Sequence, residues 1–96
     1  MATKTTIGTL YKDPAEIRTF YMDWAAHLGT QTITASSWTV PAGLTVQASS
    51  ILQGNNKTSI ILSGGTARSE YFVSNQITTS TGNVYRRTGL LIVREL

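Results

Sequence analysis

A chain of 96 residues with a net charge of +3 and 14% charged residues can build one core. It is too sparsely charged for a disordered tail or an electrostatic nucleic-acid binder. It contains no cysteine, which excludes disulfide and thiolate chemistry. Its longest apolar runs are three or four residues, so no helical membrane span is expected, and the first twelve residues lack the apolar core of a signal peptide.

Residues 1–12 are Thr-rich with isolated Ile7, Leu10 and Tyr11, which reads as a first edge strand or a flexible arm. Asp13-Pro14 breaks the chain, because Pro restricts both itself and the residue before it. The remainder, residues 13–96, reads as a single domain. Period-two alternation predicts a strand over 16–24 with Phe20, Met22 and Trp24 on one face. A single helical turn follows near residues 24–28, with Asp23 as its cap and Gly29 ending it in a left-handed conformation. Residues 32–40, rich in β-branched side chains and carrying Trp38, form the next strand, and Pro41-Ala42-Gly43 turns it. A weaker strand over 44–51 leads to the turn at 53–57. A strand over 58–63 has Ile60 and Leu62 on one face, and Gly64-Gly65-Thr66-Ala67 is the next corner.

The most regular stretch closes the chain. Tyr71, Val73 and Ile77 recur at even spacing, Gly82-Asn83 supplies hairpin freedom, and a last strand runs over 84–93 with Leu91 and Val93 inward. About seven short strands with regularly spaced turns predict an all-β, immunoglobulin-like antiparallel sandwich. The expected core is Phe20, Met22, Trp24, Trp38, Ile60, Leu62, Tyr71, Val73, Ile77, Leu91 and Val93. Both tryptophans are placed inside it, and the Tyr71 hydroxyl is placed to tie the Gly-rich corner to nearby backbone.

Reactive chemistry finds no support in the residues. One histidine, His27, four positions after Asp23, and five scattered acids give no metal-ligand spacing. No nucleophile elbow exists, and no carboxylate pair is held for glycoside cleavage. The Gly64-Gly65-Thr66 pair lacks the Lys and helix of a phosphate loop. No catalytic, cofactor-binding or metal-binding residue is therefore assigned, and no small-molecule substrate is expected. Tyr85-Arg86-Arg87 resembles a single-strand binder's aromatic–cation pairing, but three residues read better as a solvated face.

One feature exceeds a plain surface. Leu90 and Ile92 point outward beside Phe72, with Ile61 a further candidate, where polar residues should alternate. Either the arm covers this patch through Ile7 and Leu10, or a partner does.

Several blocks together resemble a family of tailed-bacteriophage structural proteins, the fibre-tail adaptor or head–tail-region proteins. They are Asp13-Pro14, Met22-Asp23-Trp24, Ser36-Ser37-Trp38-Thr39-Val40-Pro41-Ala42-Gly43-Leu44, Leu62-Ser63-Gly64-Gly65-Thr66-Ala67 and Tyr71-Phe72-Val73-Ser74-Asn75-Gln76-Ile77-Thr78-Thr79. The resemblance implies a non-enzymatic virion protein of the neck or tail, made in the host cytoplasm. It would join tail fibres to adaptor rings as multiple copies in a ring. It would contact other virion proteins through sheet edges and arms, with no membrane and no nucleic acid among its partners. Arg68-Ser69 and Gly89 depart from the family pattern. A second reading is a glycan- or surface-binding decoration domain using the loops at 53–57 and 80–83, with Tyr85 and Trp38 as stacking platforms.

Overall fold

The computed structural model describes residues 6–95, and for residues 6–8 the backbone alone. Along the chain run β1 (Thr6–Lys12), β2 (Arg18–Asp23), α1 (Ala25–Leu28), β3 (Ile33–Thr39), β4 (Leu44–Ile51), β5 (Lys57–Gly64), β6 (Ser69–Thr79) and β7 (Val84–Val93). The strands form two facing sheets, ordered β1-β7-β6-β3 and β2-β5-β4. The architecture is the all-β, immunoglobulin-like sandwich that alternation and turn spacing predict, with one departure. β1 lies parallel to β7 while every other pairing is antiparallel, so the sandwich is not wholly antiparallel.

The Asp13-Pro14 break explains how β1 and β2 come to lie in different sheets. Asp13 Oδ1 accepts the Ala15 N–H at 2.8 Å, and Glu16 Oε1 accepts the Asp13 N–H at 2.8 Å. These bonds satisfy a tight corner that no ladder could continue through. At the corner's edge Lys12 is fully buried, and its ammonium donates to the carbonyls of Gly64 at 2.7 Å and Asp13 at 2.9 Å. A buried cation without such acceptors would be costly, so the side chain pins β1 to the end of β5 across the sandwich.

Between the sheets the core forms two clusters. Phe20, Ile60, Leu62, Val73, Leu91 and Val93 make one. Met22, Trp24, Leu28, Ile33 and Ile77 make the other. Trp38 packs against both clusters but stays half-buried, because it stands on an edge strand that nothing encloses from outside. Only Trp24 is a fully interior tryptophan, which corrects the expectation that both are. Tyr71 is likewise half-buried. The Trp38 Nε1–H is buried and has no acceptor among the described residues.

Asn75 joins the clusters. It is fully buried, and its Oδ1 accepts from Trp24 Nε1 at 2.9 Å and Thr58 Oγ1 at 2.6 Å. Its Nδ2 donates to Ser36 Oγ and to the Ser37 carbonyl, both at 2.9 Å. One amide thereby bonds to residues on β3 and β5 and to Trp24 just beyond β2, from its own place on β6. With all four of its bonds made, it is a satisfied polar centre in an apolar interior.

The helical turn differs in detail from expectation. Trp24, not Asp23, holds the cap position, and Asp23 Oδ1 instead accepts the Ala25 N–H at 2.9 Å. Gly29 has φ +62° and ψ −116°, a positive-φ exit outside the left-handed helical region. At the Gly-rich corner, Gly65 has φ +97°, and a Cβ there would lie 2.8 Å from Val93 Cγ2, so both backbone and packing require glycine. Tyr71 closes this corner by accepting the Thr66 N–H at 3.0 Å.

That bond favours the phenolate and holds the Tyr71 pKa below the usual tyrosine value, against a smaller opposing effect of burial. Because the folded pKa is lowered, the associated stabilisation exists only in alkali and fades as pH falls through that pKa; at neutral pH it contributes nothing. Ultraviolet titration of the folded chain should therefore show an early-ionising tyrosine. The Tyr71→Phe variant should lack that step.

Candidate interaction surfaces

Register places the expected contact residues on particular faces. Phe72 pairs with Leu90, and Leu90 with Thr9; Glu70 pairs with Ile92, and Ile92 with Tyr11. These residues share the outward face of the four-stranded sheet. Phe72 is 45% exposed, Tyr11 is 40% exposed, and Leu90 and Ile92 are half-buried. The Arg94 guanidinium sits 4.6 Å above the Tyr11 ring and frames one end of the row. Further along the same face Ser74 and Thr88 are buried and hydrogen-bonded to each other at 2.8 Å.

Two expected members lie elsewhere. Leu10 pairs with Leu91, so it faces inward at the sheet edge, opposite in sense to Phe72. β1 extends the sheet sideways and does not lie across the patch, so Leu10 cannot cover it. Ile61 pairs with Thr19 and Ala48 and faces outward from the other sheet. The Ile7 side chain lies outside the described residues. Tyr11, missed in the sequence, completes the outward row; its signal was its place one residue beyond Leu10 in a strand that alternates.

The loop end is polar and internally bonded. Gln31 Oε1 accepts from Thr79 Oγ1 and Thr81 Oγ1, both at 2.7 Å, and from Asn83 Nδ2 at 3.1 Å. Asn83 Nδ2 also reaches the Tyr85 hydroxyl at 3.1 Å, and His27 meets the Tyr85 ring edge-on at 4.4 Å. Amides, hydroxyls and an aromatic are thus gathered in one place, but their polar groups bond to one another. His27 faces Tyr85 and Trp24. Tyr85 and Trp38 are both half-buried and engaged in packing, so neither presents an open stacking platform.

The basic pair divides between faces. Arg87 turns inward with its guanidinium 4.7 Å above the Trp24 ring, while Arg86 lines the outward groove with Thr39, Pro41 and Phe72. Strand alternation therefore separates the two cations that a phosphate track would need side by side. Among the described residues no group of acids or histidines could hold a metal ion, and no helix is long and apolar enough to cross a membrane.

The fold is similar to two solved structures. The PKD domain from the KIAA 1837 protein matches with a TM-score of 0.54 and 13% identity, covering 97% of this chain and 84% of that one. A segment of the 2,6-sialyltransferase of Vibrionaceae Photobacterium sp. JT-ISH-224 matches with a TM-score of 0.51 and 15% identity, covering 97% of this chain and 19% of that one. At such identities the likeness extends to the fold alone. No curated protein sequence matches significantly. The family model described as podophage GP4 fiber-tail adaptor protein gp77 matches residues 12–92, which take in every strand of both sheets except most of β1 and the end of β7. The chain therefore belongs to this family of phage fibre-tail adaptor proteins, structural components of the virion tail.

Proposed function

We infer that the chain is a non-enzymatic link in the tail, joining fibre to tail tube or adaptor ring as one of several copies. The observation that carries this reading is the family match across both sheets. The row of Tyr11, Phe72, Leu90 and Ile92 supplies a contact surface in keeping with it, because an outward sheet face ordinarily alternates with polar residues. Sheet edges and the segment before β2 supply further contacts.

The experiment is complementation of a phage lacking this gene with chains altered on the outward row. Phe72→Lys, first shown to melt as the unaltered chain does, is expected to lower incorporation into particles about ten-fold and to leave them short of fibres. Particles carrying normal amounts of the Phe72→Lys chain and normal fibres would remove the outward row from the contact. Particles that gain fibres without this chain would end the adaptor reading.

A further inference from the structure

The two outer faces of the sandwich differ in charge. On the three-stranded sheet the outward face carries Asp23 and Lys57, which the register sets opposite each other, so they cancel. Arg18 of the same sheet turns to the Phe20 ring and donates to the Tyr11 carbonyl. On the four-stranded sheet, alternation sets Arg86 and Arg94 on the outward side, in line with Thr88, Leu90 and Ile92. Arg68 stands at the Arg94 end, where its N–H donates to the Val93 carbonyl at 2.7 Å. All three arginines are exposed, and among the described residues none forms an ion pair. Glu70, paired with Ile92, is the one acid in the described strands of this sheet, so positive charge prevails there.

Placement adds to the sign. Arg86 and Arg94 are eight positions apart, roughly 26 Å along a strand at about 3.3 Å per residue. Between them lie Leu90 and Ile92, with Phe72 and Tyr11 on the neighbouring strands. Arg94 is held over the Tyr11 ring at 4.6 Å, which presents its guanidinium at the margin of the row. Arg68 keeps φ at +68°, a backbone state that side chains other than Gly and Asn rarely adopt. A strained residue that is also an exposed arginine is a candidate for contact.

We propose that this face receives an acidic protein of the tail. The partner surface has an aliphatic strip roughly 25 Å long, by the strand spacing above, with Asp or Glu carboxylates at both ends. Carboxylates at one end meet Arg86, and those at the other meet Arg68 and Arg94; a guanidinium fork takes a carboxylate through two parallel bonds. A second copy offering the same face would set arginine against arginine, so the occupant is a different chain. A nucleic-acid backbone would leave the apolar centre between the arginines unused. The inference rests on the adaptor function proposed above and deepens it by naming the chemistry of the partner.

The test uses particles of a phage lacking this gene and the purified full chain, with capture measured by co-sedimentation. The unaltered chain is expected to bind, with a Kd that rises at least about ten-fold as salt is raised from about 50 to 500 mM. Arg86→Glu with Arg94→Glu should raise the Kd at least about ten-fold in low salt while the chain melts within a few degrees of the original. Lys57→Glu, a charge reversal on the opposite face, should change it by less than about two-fold. Phages selected to grow with the doubly reversed chain should carry Asp or Glu replaced by Lys or Arg in a tail or fibre protein. Capture of the reversed chain as tight as that of the original overturns the proposal and leaves the adaptor reading standing. So does free duplex DNA bound as tightly as the particles, or a self-association of the unaltered chain that the two reversals abolish. Particles that neither capture the chain nor need it to carry fibres reject the adaptor reading, and this inference with it.

Discussion

Asn75→Ala is expected to lower the unfolding free energy by about 3–5 kcal/mol, read as the shift in a urea midpoint followed by far-ultraviolet circular dichroism. The alanine leaves Trp24 Nε1–H and Thr58 Oγ1–H without their acceptor, and Ser36 and the Ser37 carbonyl without their donor. Each buried group so orphaned costs about 1–3 kcal/mol, partly relieved where water can enter. Small domains hold roughly 5–15 kcal/mol in all, so a large share of the native population is at stake. Asn75→Asp separates the two halves of the network. It keeps both acceptor bonds and the side-chain volume, but it buries a carboxylate and sets its second oxygen against the Ser37 carbonyl, so at neutral pH it should cost at least as much as alanine. An Asn75→Ala chain as stable as the original would mean that the amide merely fills space.

Trp24→Ala is expected to cost about 3–5 kcal/mol as well, by cavity formation in place of lost donors. Trp24 is the largest fully buried side chain; it packs with Met22, Leu28, Ile33 and Ile77, and the Arg87 guanidinium closes over its ring. The same denaturation measurement checks it. Trp38→Ala should cost distinctly less, because its ring is only half-buried. Equal losses at the two positions would show that the edge strand is more enclosed than its surroundings indicate. The indole bond to Asn75 couples the two predictions, so a Trp24→Phe, Asn75→Ala double variant should lose less than the sum of the singles.

Much of this fold is legible in the residues. Alternation sets the later strands because their inward residues are large, apolar and evenly spaced, as in Val73, Ile77, Leu91 and Val93. The same alternation passes through position 75, so Asn75 was always on the inward face; an amide there reads as surface only because its partners lie far off in sequence. Leu28 and Ile33 join the core from a helical turn and a bulged strand start, where period two fails. The pairing of β1 with β7 is hidden for a different reason. Short Thr-rich strands suit many partners, and nothing local specifies a parallel neighbour some eighty positions away. That pairing turns Leu10 inward and Tyr11 outward, which is why the outward row differs from the one the sequence suggests.

The parallel union of β1 with β7 also bears on how fast the chain acquires its shape. The first strand can find its partner only after the last one has formed, and the intervening chain must be gathered before either gains anything. Acquisition of the native state should thus fall in the millisecond-to-second range typical of long-range β topologies. Until that final zipping the β7 flank stays unclaimed, a template on which the leading strand of a neighbouring molecule could settle instead.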